Sequence, residues 1–224
     1  PFTAEPDEVN AYSAFVAKLL KKQSLFITEQ LKQILDIDNK DLLRAAEGNA
    51  AHCYFSAFDE LILQNKEYFT FKTRNRRPPT DAVNALLSFA YTLLAGECRH
   101  ALEMVGLDSY VGFLHADRPG RASLALDLME ELRPHFADRF VISLINRNEV
   151  AESDFEVQSS GAMHLTSTAR KSFLSSWQSR KKEEITHPFL KEKLEWGLVP
   201  YCQALLLART IRGDLEAYPP FLWK

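Results

Sequence analysis

A mainly α-helical domain is what this sequence predicts, from three observations. Apolar residues recur at helical spacing from Asp7 to about Ile34, through Ala11, Phe15, Leu19, Leu20, Phe26 and Leu31, with lysines between them. A second stretch, Asp81 to Val105, is strongly apolar (Val83, Leu86, Leu87, Ala90, Leu93, Leu94), as a helix buried on most sides must be. Strand-like patterning is confined to Asp154–Gln158 and Ala162–Leu165, which flank the turn Ser159-Ser-Gly161. The expected architecture is a single helical domain over residues 1–224 with at most a small β-hairpin.

The remaining elements follow in order. Asp38 or Asn39 can cap a helix running through Leu42, Leu43, Ala46, Ala50, Tyr54 and Phe58. Gly48 lies within it, at a cost of about 1 kcal/mol against alanine. With Ala50 and Ala51 beside it, that glycine implies close approach of another backbone. Phe69 to Thr73 reads as a short strand or an extended linker, and Arg76-Arg-Pro-Pro-Thr80 breaks any helix. Thr80 is the expected cap of the apolar helix, and Gly106 ends it. After a loop containing Gly112, Pro119 and Gly120, Ser123 is expected to cap a helix whose Leu124, Leu128 and Leu132 face the core. Asp127, Glu130 and Glu131 form an adjoining stripe. Pro134 kinks or restarts this helix, which runs on to about Asn146. Two further helices are expected, at about Ser167 to Ile185 and Pro188 to Arg212, the second carrying Pro200. The aromatic ending Tyr218-Pro-Pro-Phe-Leu-Trp223 is expected to dock on the body.

Composition narrows the class. At 224 residues, 46% hydrophobic and 25% charged, the chain has the make-up of a soluble globular protein with one sizeable core, or one domain plus a fragment of another. No apolar run approaches the roughly 20 residues of a membrane span, and no secretory signal is present, so no membrane partner is expected and the cytoplasm is the default compartment. Cys53, Cys98 and Cys202 are too scattered for a disulfide framework and read as small packed hydrophobes. The chain begins at Pro1 without a methionine, which reads as a processed chain or a part of something longer. A net charge of -3 argues mildly against nucleic acid, yet basic residues crowd together at Lys72, Arg74, Arg76 and Arg77, at Arg118 and Arg121, and at Arg170, Lys171, Arg180, Lys181 and Lys182. Solvated faces also produce such clusters.

Three residues far apart in sequence stand in unusual settings. Glu47 lies among small residues, His115 follows an apolar run and enters a Pro/Gly loop, and Glu130 lies one turn beyond Asp127. Two carboxylates and one imidazole make a hard donor set suited to Mn²⁺ or Mg²⁺ rather than to a structural zinc. Each also has a plain reading, as a solvent-facing helix residue, a hydrogen-bonded loop histidine and a hydrated acidic stripe. Glu97-Cys-Arg-His100 has the Glu-x-x-His spacing of di-iron bundles, but those sites also need two further glutamates, and the pair reads as two polar residues near the end of the apolar helix. There is no glycine-rich phosphate loop and no nucleophile elbow.

Four segments together carry a family resemblance: Glu47-Gly-Asn-Ala-Ala-His-Cys-Tyr-Phe55, Arg74 to Tyr91, Gly112-Phe-Leu-His115, and Arg121 to Pro134. In this order they resemble the CRISPR-associated adaptation integrase, the Cas-one family, and the ending Arg212 to Trp223 resembles its type I-C branch. The resemblance implies a helical catalytic domain. It also implies an N-terminal β-rich dimerisation domain in the family, to which nothing in this sequence corresponds, so the chain reads as the catalytic C-terminal domain. By motif, Glu47, His115 and Glu130 would be ligands of Mn²⁺ or Mg²⁺, and Asp127 the supporting acid. Asn84 and Tyr91 would line the site, and Arg74, Arg76, Arg77 and Arg121 would contact DNA phosphates. The implied reaction is strand transfer of foreign DNA 3′-hydroxyl ends into a CRISPR repeat, with DNA cleavage as a related activity. The implied partners are DNA, a small Cas-two subunit and, in the full-length family, a second copy. The alternative is a non-catalytic helical module that binds DNA or protein.

Overall fold

The computed structural model describes residues 40–116 and 118–222. The helix expected from Asp7 to Ile34, the caps Asp38 and Asn39, and Trp223 lie outside these residues. The chain divides into two compact units, one of residues 1–63 and 70–74, the other of residues 64–69 and 75–224. The described structure is mainly α, with two small antiparallel sheets.

In the first unit, α1 (Lys40–Ser56) leads into a 3-10 turn at Phe58–Leu61. Its core is aromatic. Phe71 stacks on Phe55 at 5.6 Å and packs on Phe58 at 4.9 Å, and the Phe71 N–H donates to Asp59 Oδ1 at 2.6 Å. Phe69 to Thr73 forms no strand, because these rings hold it as irregular chain. Gly48 is exposed, and among the described residues nothing lies within 4 Å of where its Cβ would be, so the expected close backbone approach is not found there.

The second unit is built around α2 (Ala82–Met104), buried along most of its length as its composition requires. Its cap is Asp81, not Thr80: Asp81 Oδ1 accepts from the Asn84 N–H at 2.8 Å. The carboxylate outcompetes the hydroxyl because it accepts from the Asn84 amide as well, at 2.7 Å. Gly106 ends the helix at φ +79°, a conformation in which glycine carries no Cβ penalty. Against α2 packs α3 (Ser123–Arg133). Ser123 opens α3 rather than capping it. Ala122 occupies the cap position, and the Leu124 and Ala125 N–H groups donate instead to the Ser109 carbonyl. Pro134 has no N–H to continue the ladder, and the chain widens into a π turn over Pro134–Asp138 before α4 (Arg139–Asn146), which ends where expected.

The hairpin is present as β1 (Phe155–Val157) paired with β2 (Met163–Leu165), in the register Glu156 opposite His164. A second pair was not expected. Helix α5 (Ser167–Lys181) stops short of Ile185, and β3 (Glu184–Thr186) pairs with β4 (Lys193–Glu195). Ile185 is buried between exposed Glu184 and Thr186, a period of two that a three-residue strand is too short to announce. The last helix, α6 (Val199–Ile211), therefore begins eleven residues later than Pro188. Pro200 lies in its first turn, where a missing N–H costs nothing.

An aromatic layer fills this unit. Trp177 contacts Phe136 at 4.7 Å and Phe140 at 5.2 Å, and Trp196 bridges Phe136 and Phe221 at 5.2 and 5.5 Å. Phe221 is only 2% exposed, so the aromatic ending docks on the body through Phe221. His187 is buried as a neutral imidazole. Its Nδ1 accepts from the Phe189 and Leu190 N–H groups and its Nε2–H donates to Gln203 Oε1, while burial pulls its pKa down. Cys98 is buried like a small hydrophobe, whereas Cys53 and Cys202 are partly exposed. No described helix is long and apolar enough to cross a membrane.

Candidate active site

The site is organised by Asp127. Its Oδ2 accepts from the Phe113 and Leu114 N–H groups at 2.6 and 3.1 Å, and its Oδ1 accepts from the His115 N–H at 3.0 Å. One carboxylate on α3 thus gathers three consecutive amides of the loop. The same Oδ1 lies 2.7 Å from His115 Nδ1. A carboxylate at that distance fixes the tautomer: Nδ1 carries the proton and donates it to Asp127, which leaves the Nε2 lone pair for a ligand. His115 Nε2 has no hydrogen-bond partner among the described residues, and the side chain keeps 19% of its surface exposed.

Gly112 makes the arrangement possible. A Cβ there would stand 2.7 Å from Ser123 Cβ, 2.9 Å from the His115 carbonyl oxygen and 3.0 Å from Asp127 Oδ2. The loop can fold onto the start of α3 only with hydrogen at that position. Gly112→Ala is therefore expected to push the loop off Asp127 and to cost about 1–3 kcal/mol, as overpacking does. Thermal unfolding of the purified variant measures this, and an unchanged melting temperature would contradict it.

Glu130, one turn beyond Asp127, is held by Arg133. Both guanidinium Nη atoms reach it, Nη1 to Oε1 and Nη2 to Oε2, each at 2.8 Å. The guanidinium also lies 5.3 Å from the centre of the Tyr91 ring, and the Tyr91 hydroxyl donates to buried Asp138 at 2.5 Å. Tyr91 thus supports Arg133. Asn84, expected to line the site, is fully buried, tied to Asp81 and accepting from the Asn75 N–H.

The structure thus brings His115 and Asp127 into contact and sets Glu130 on the same helix, while Glu47 belongs to the first unit. Among the described residues, no three His, Cys, Asp or Glu side chains cluster so as to hold a metal ion. The donors present nevertheless fit a hard divalent cation: an imidazole nitrogen oriented by a carboxylate, with a further carboxylate on the same helix. Of the basic residues, Arg76 and Arg77 are exposed, Arg121 is partly buried, and Arg74 belongs to the first unit. The Glu97/His100 pair is no ligand set. Glu97 Oε1 accepts from Trp177 Nε1 and pairs with Lys181 Nζ, both at 3.0 Å, and His100 is exposed.

The family model for the CRISPR associated protein Cas1 matches residues 8–179. The chain belongs to the Cas1 family. It is 59% identical over 187 residues to a CRISPR-associated endonuclease Cas1 of Rhodospirillum rubrum, a match covering 84% of this chain and 54% of that relative, so the chain spans about half that protein's length. Among solved structures, a casposase bound to its integration product superposes with a TM-score of 0.77 at 27% identity, over 92% of this chain and 58% of that one. A partial Cas6-RT-Cas1–Cas2 complex superposes with a TM-score of 0.77 at 26% identity, over 93% and 60% of the two chains.

Proposed function

We propose that this chain carries the catalytic machinery of a DNA integrase and endonuclease of CRISPR adaptation, dependent on Mn²⁺ or Mg²⁺. The observation that carries the reading is the Asp127 carboxylate, which orients the His115 ring and collects the three amides of its loop. The Rhodospirillum rubrum relative, named an endonuclease, and the casposase caught with its integration product support the reaction class. His115 Nε2, Glu130 and Glu47 would hold the ion, which when bound supplies a Lewis acid at the attacked phosphate. Asp127 accepts the hydrogen bond from Nδ1, so Nε2 is the ring nitrogen that would face the ion. Glu130 is shared with Arg133, whose positive charge lies beside any phosphate brought to that carboxylate.

In strand transfer, a DNA 3′-hydroxyl attacks phosphorus, a new P–O bond forms and the repeat strand's 3′-oxygen leaves. The nucleophile comes from DNA, so no nucleophilic side chain is needed. Water in its place gives cleavage. Arg76, Arg77, Arg121 and Arg74 would contact phosphates, which positions DNA without reading its sequence. The full protein would work with a Cas2 subunit, as the Cas1–Cas2 composition of the similar complex suggests, and as a homodimer in the cytoplasm; the type I-C assignment belongs to the same reading.

Calorimetric titration with Mn²⁺ tests the proposal. Binding is expected in the unaltered chain and in His100→Ala, and loss in His115→Ala. Binding that disappears with His100, or is equal in all three, would place the metal elsewhere, and no binding at all would favour the non-catalytic module.

A further inference from the structure

The acid stripe of α3 holds a third carboxylate with a different task. Glu131 follows Glu130 and so points about 100° away around the helix. Its Oε1 accepts from the Tyr218 hydroxyl, its Oε2 accepts from the Phe221 N–H at 2.7 Å, and Gln203 Nε2 reaches both oxygens at 3.2 Å. Gln203, fully buried on α6, also contacts the Tyr218 hydroxyl at 2.6 Å and donates to the Pro219 carbonyl at 3.3 Å. Phe221 is sealed beneath by Trp196 and His187, each 5.5 Å away. Tyr218 to Phe221 is therefore a strap, tied by side chain and backbone to one carboxylate.

We propose that this strap and Glu131 are positioning elements for the active site: they lock the rotation of α3 and thereby hold Asp127 toward the His115 loop. The geometry favours this over simple packing. Aromatic burial of Phe221 would fasten the segment anywhere on the core, whereas the hydrogen bonds converge on the residue adjacent to Glu130. A carboxylate already engaged by a hydroxyl, a backbone amide and a side-chain amide has few lone pairs left for a cation, so Glu131 is excluded as a ligand. The metal-related part of this inference rests on the function proposed above; the clamp on α3 does not.

The test uses the whole chain with Tyr218→Phe, which deletes one oxygen, and Glu131→Gln, which keeps the shape of the acceptor. Leu222→Ala, at a residue 72% exposed, is the control. Hydrogen exchange of the α3 amides and Mn²⁺ titration are read well below the melting temperature of each variant. Both strap variants are expected to exchange several-fold faster along α3 and to bind Mn²⁺ about tenfold more weakly, the scale of a lost supporting contact, while Leu222→Ala matches the unaltered chain. Unaltered exchange and affinity in both strap variants would overturn the proposal. Faster α3 exchange in a protein whose unaltered form binds no Mn²⁺ would uphold the clamp and end the metal assignment instead.

Discussion

His115→Ala is expected to lower metal-dependent DNA cleavage by more than about a hundredfold while leaving DNA binding nearly unchanged, because a ligand is lost where even supporting contacts are worth 10–100-fold. The imidazole is the one nitrogen in the proposed donor set, and Asp127 spends its Oδ1 on keeping that ring in a single tautomer. Alanine removes the donor but leaves the three amide bonds that shape the loop, so the fold should survive. On the proposed function, DNA affinity would come mainly from phosphate contacts to basic residues elsewhere and should persist. Glu47→Ala is expected to behave alike. Cleavage of branched DNA in Mn²⁺ measures the first effect and fluorescence anisotropy the second. Full activity in purified His115→Ala would end the assignment.

Trp177→Ala carries the largest expected cost to stability, about 3–5 kcal/mol. The indole is 1% exposed, packs edge-on against Phe136 and Phe140, and donates from Nε1 to Glu97. Its loss opens a cavity between α4, α5 and the π turn and takes a partner from a carboxylate whose other oxygen, Oε2, is buried without a hydrogen bond. For a chain of this size the melting temperature should fall by about 6–20 °C. Thermal unfolding followed by circular dichroism reads this directly, and a shift under a few degrees would mean that the aromatic layer is not assembled around Trp177.

Long elements were legible and short ones were not. The apolar helix from Ala82 to Met104 is evident because six turns of periodicity average out exceptions. The first hairpin was readable through its Ser-Ser-Gly turn, where Gly161 adopts φ +79°. The second pair was hidden. Three-residue strands present too few alternations, and Pro200 fell inside the helix expected from Pro188 because nothing local distinguishes a first-turn proline from an interior one. The caps were misplaced by one residue at Thr80/Asp81 and at Ala122/Ser123. The choice depends on which oxygen the folded chain brings to the free amides, and at α3 that oxygen is a carbonyl fourteen residues upstream, on Ser109.

The site divides in the same way. Residue chemistry by itself singled out Glu47, His115 and Glu130, because a hard donor set and a Pro/Gly loop are local features, and four ordered motifs identified the family and added Asp127 as the supporting acid. Spacing alone could not tell apart the three acids of one stripe, which differ only by their angle around a helix. Tertiary structure gave them separate tasks. Asp127 faces the loop and orients His115, Glu130 is forked by Arg133, and Glu131 anchors the strap. The physical reason is that donor type belongs to a residue, whereas hydrogen-bond partners up to ninety positions away in sequence are set only when the helices and the strap pack.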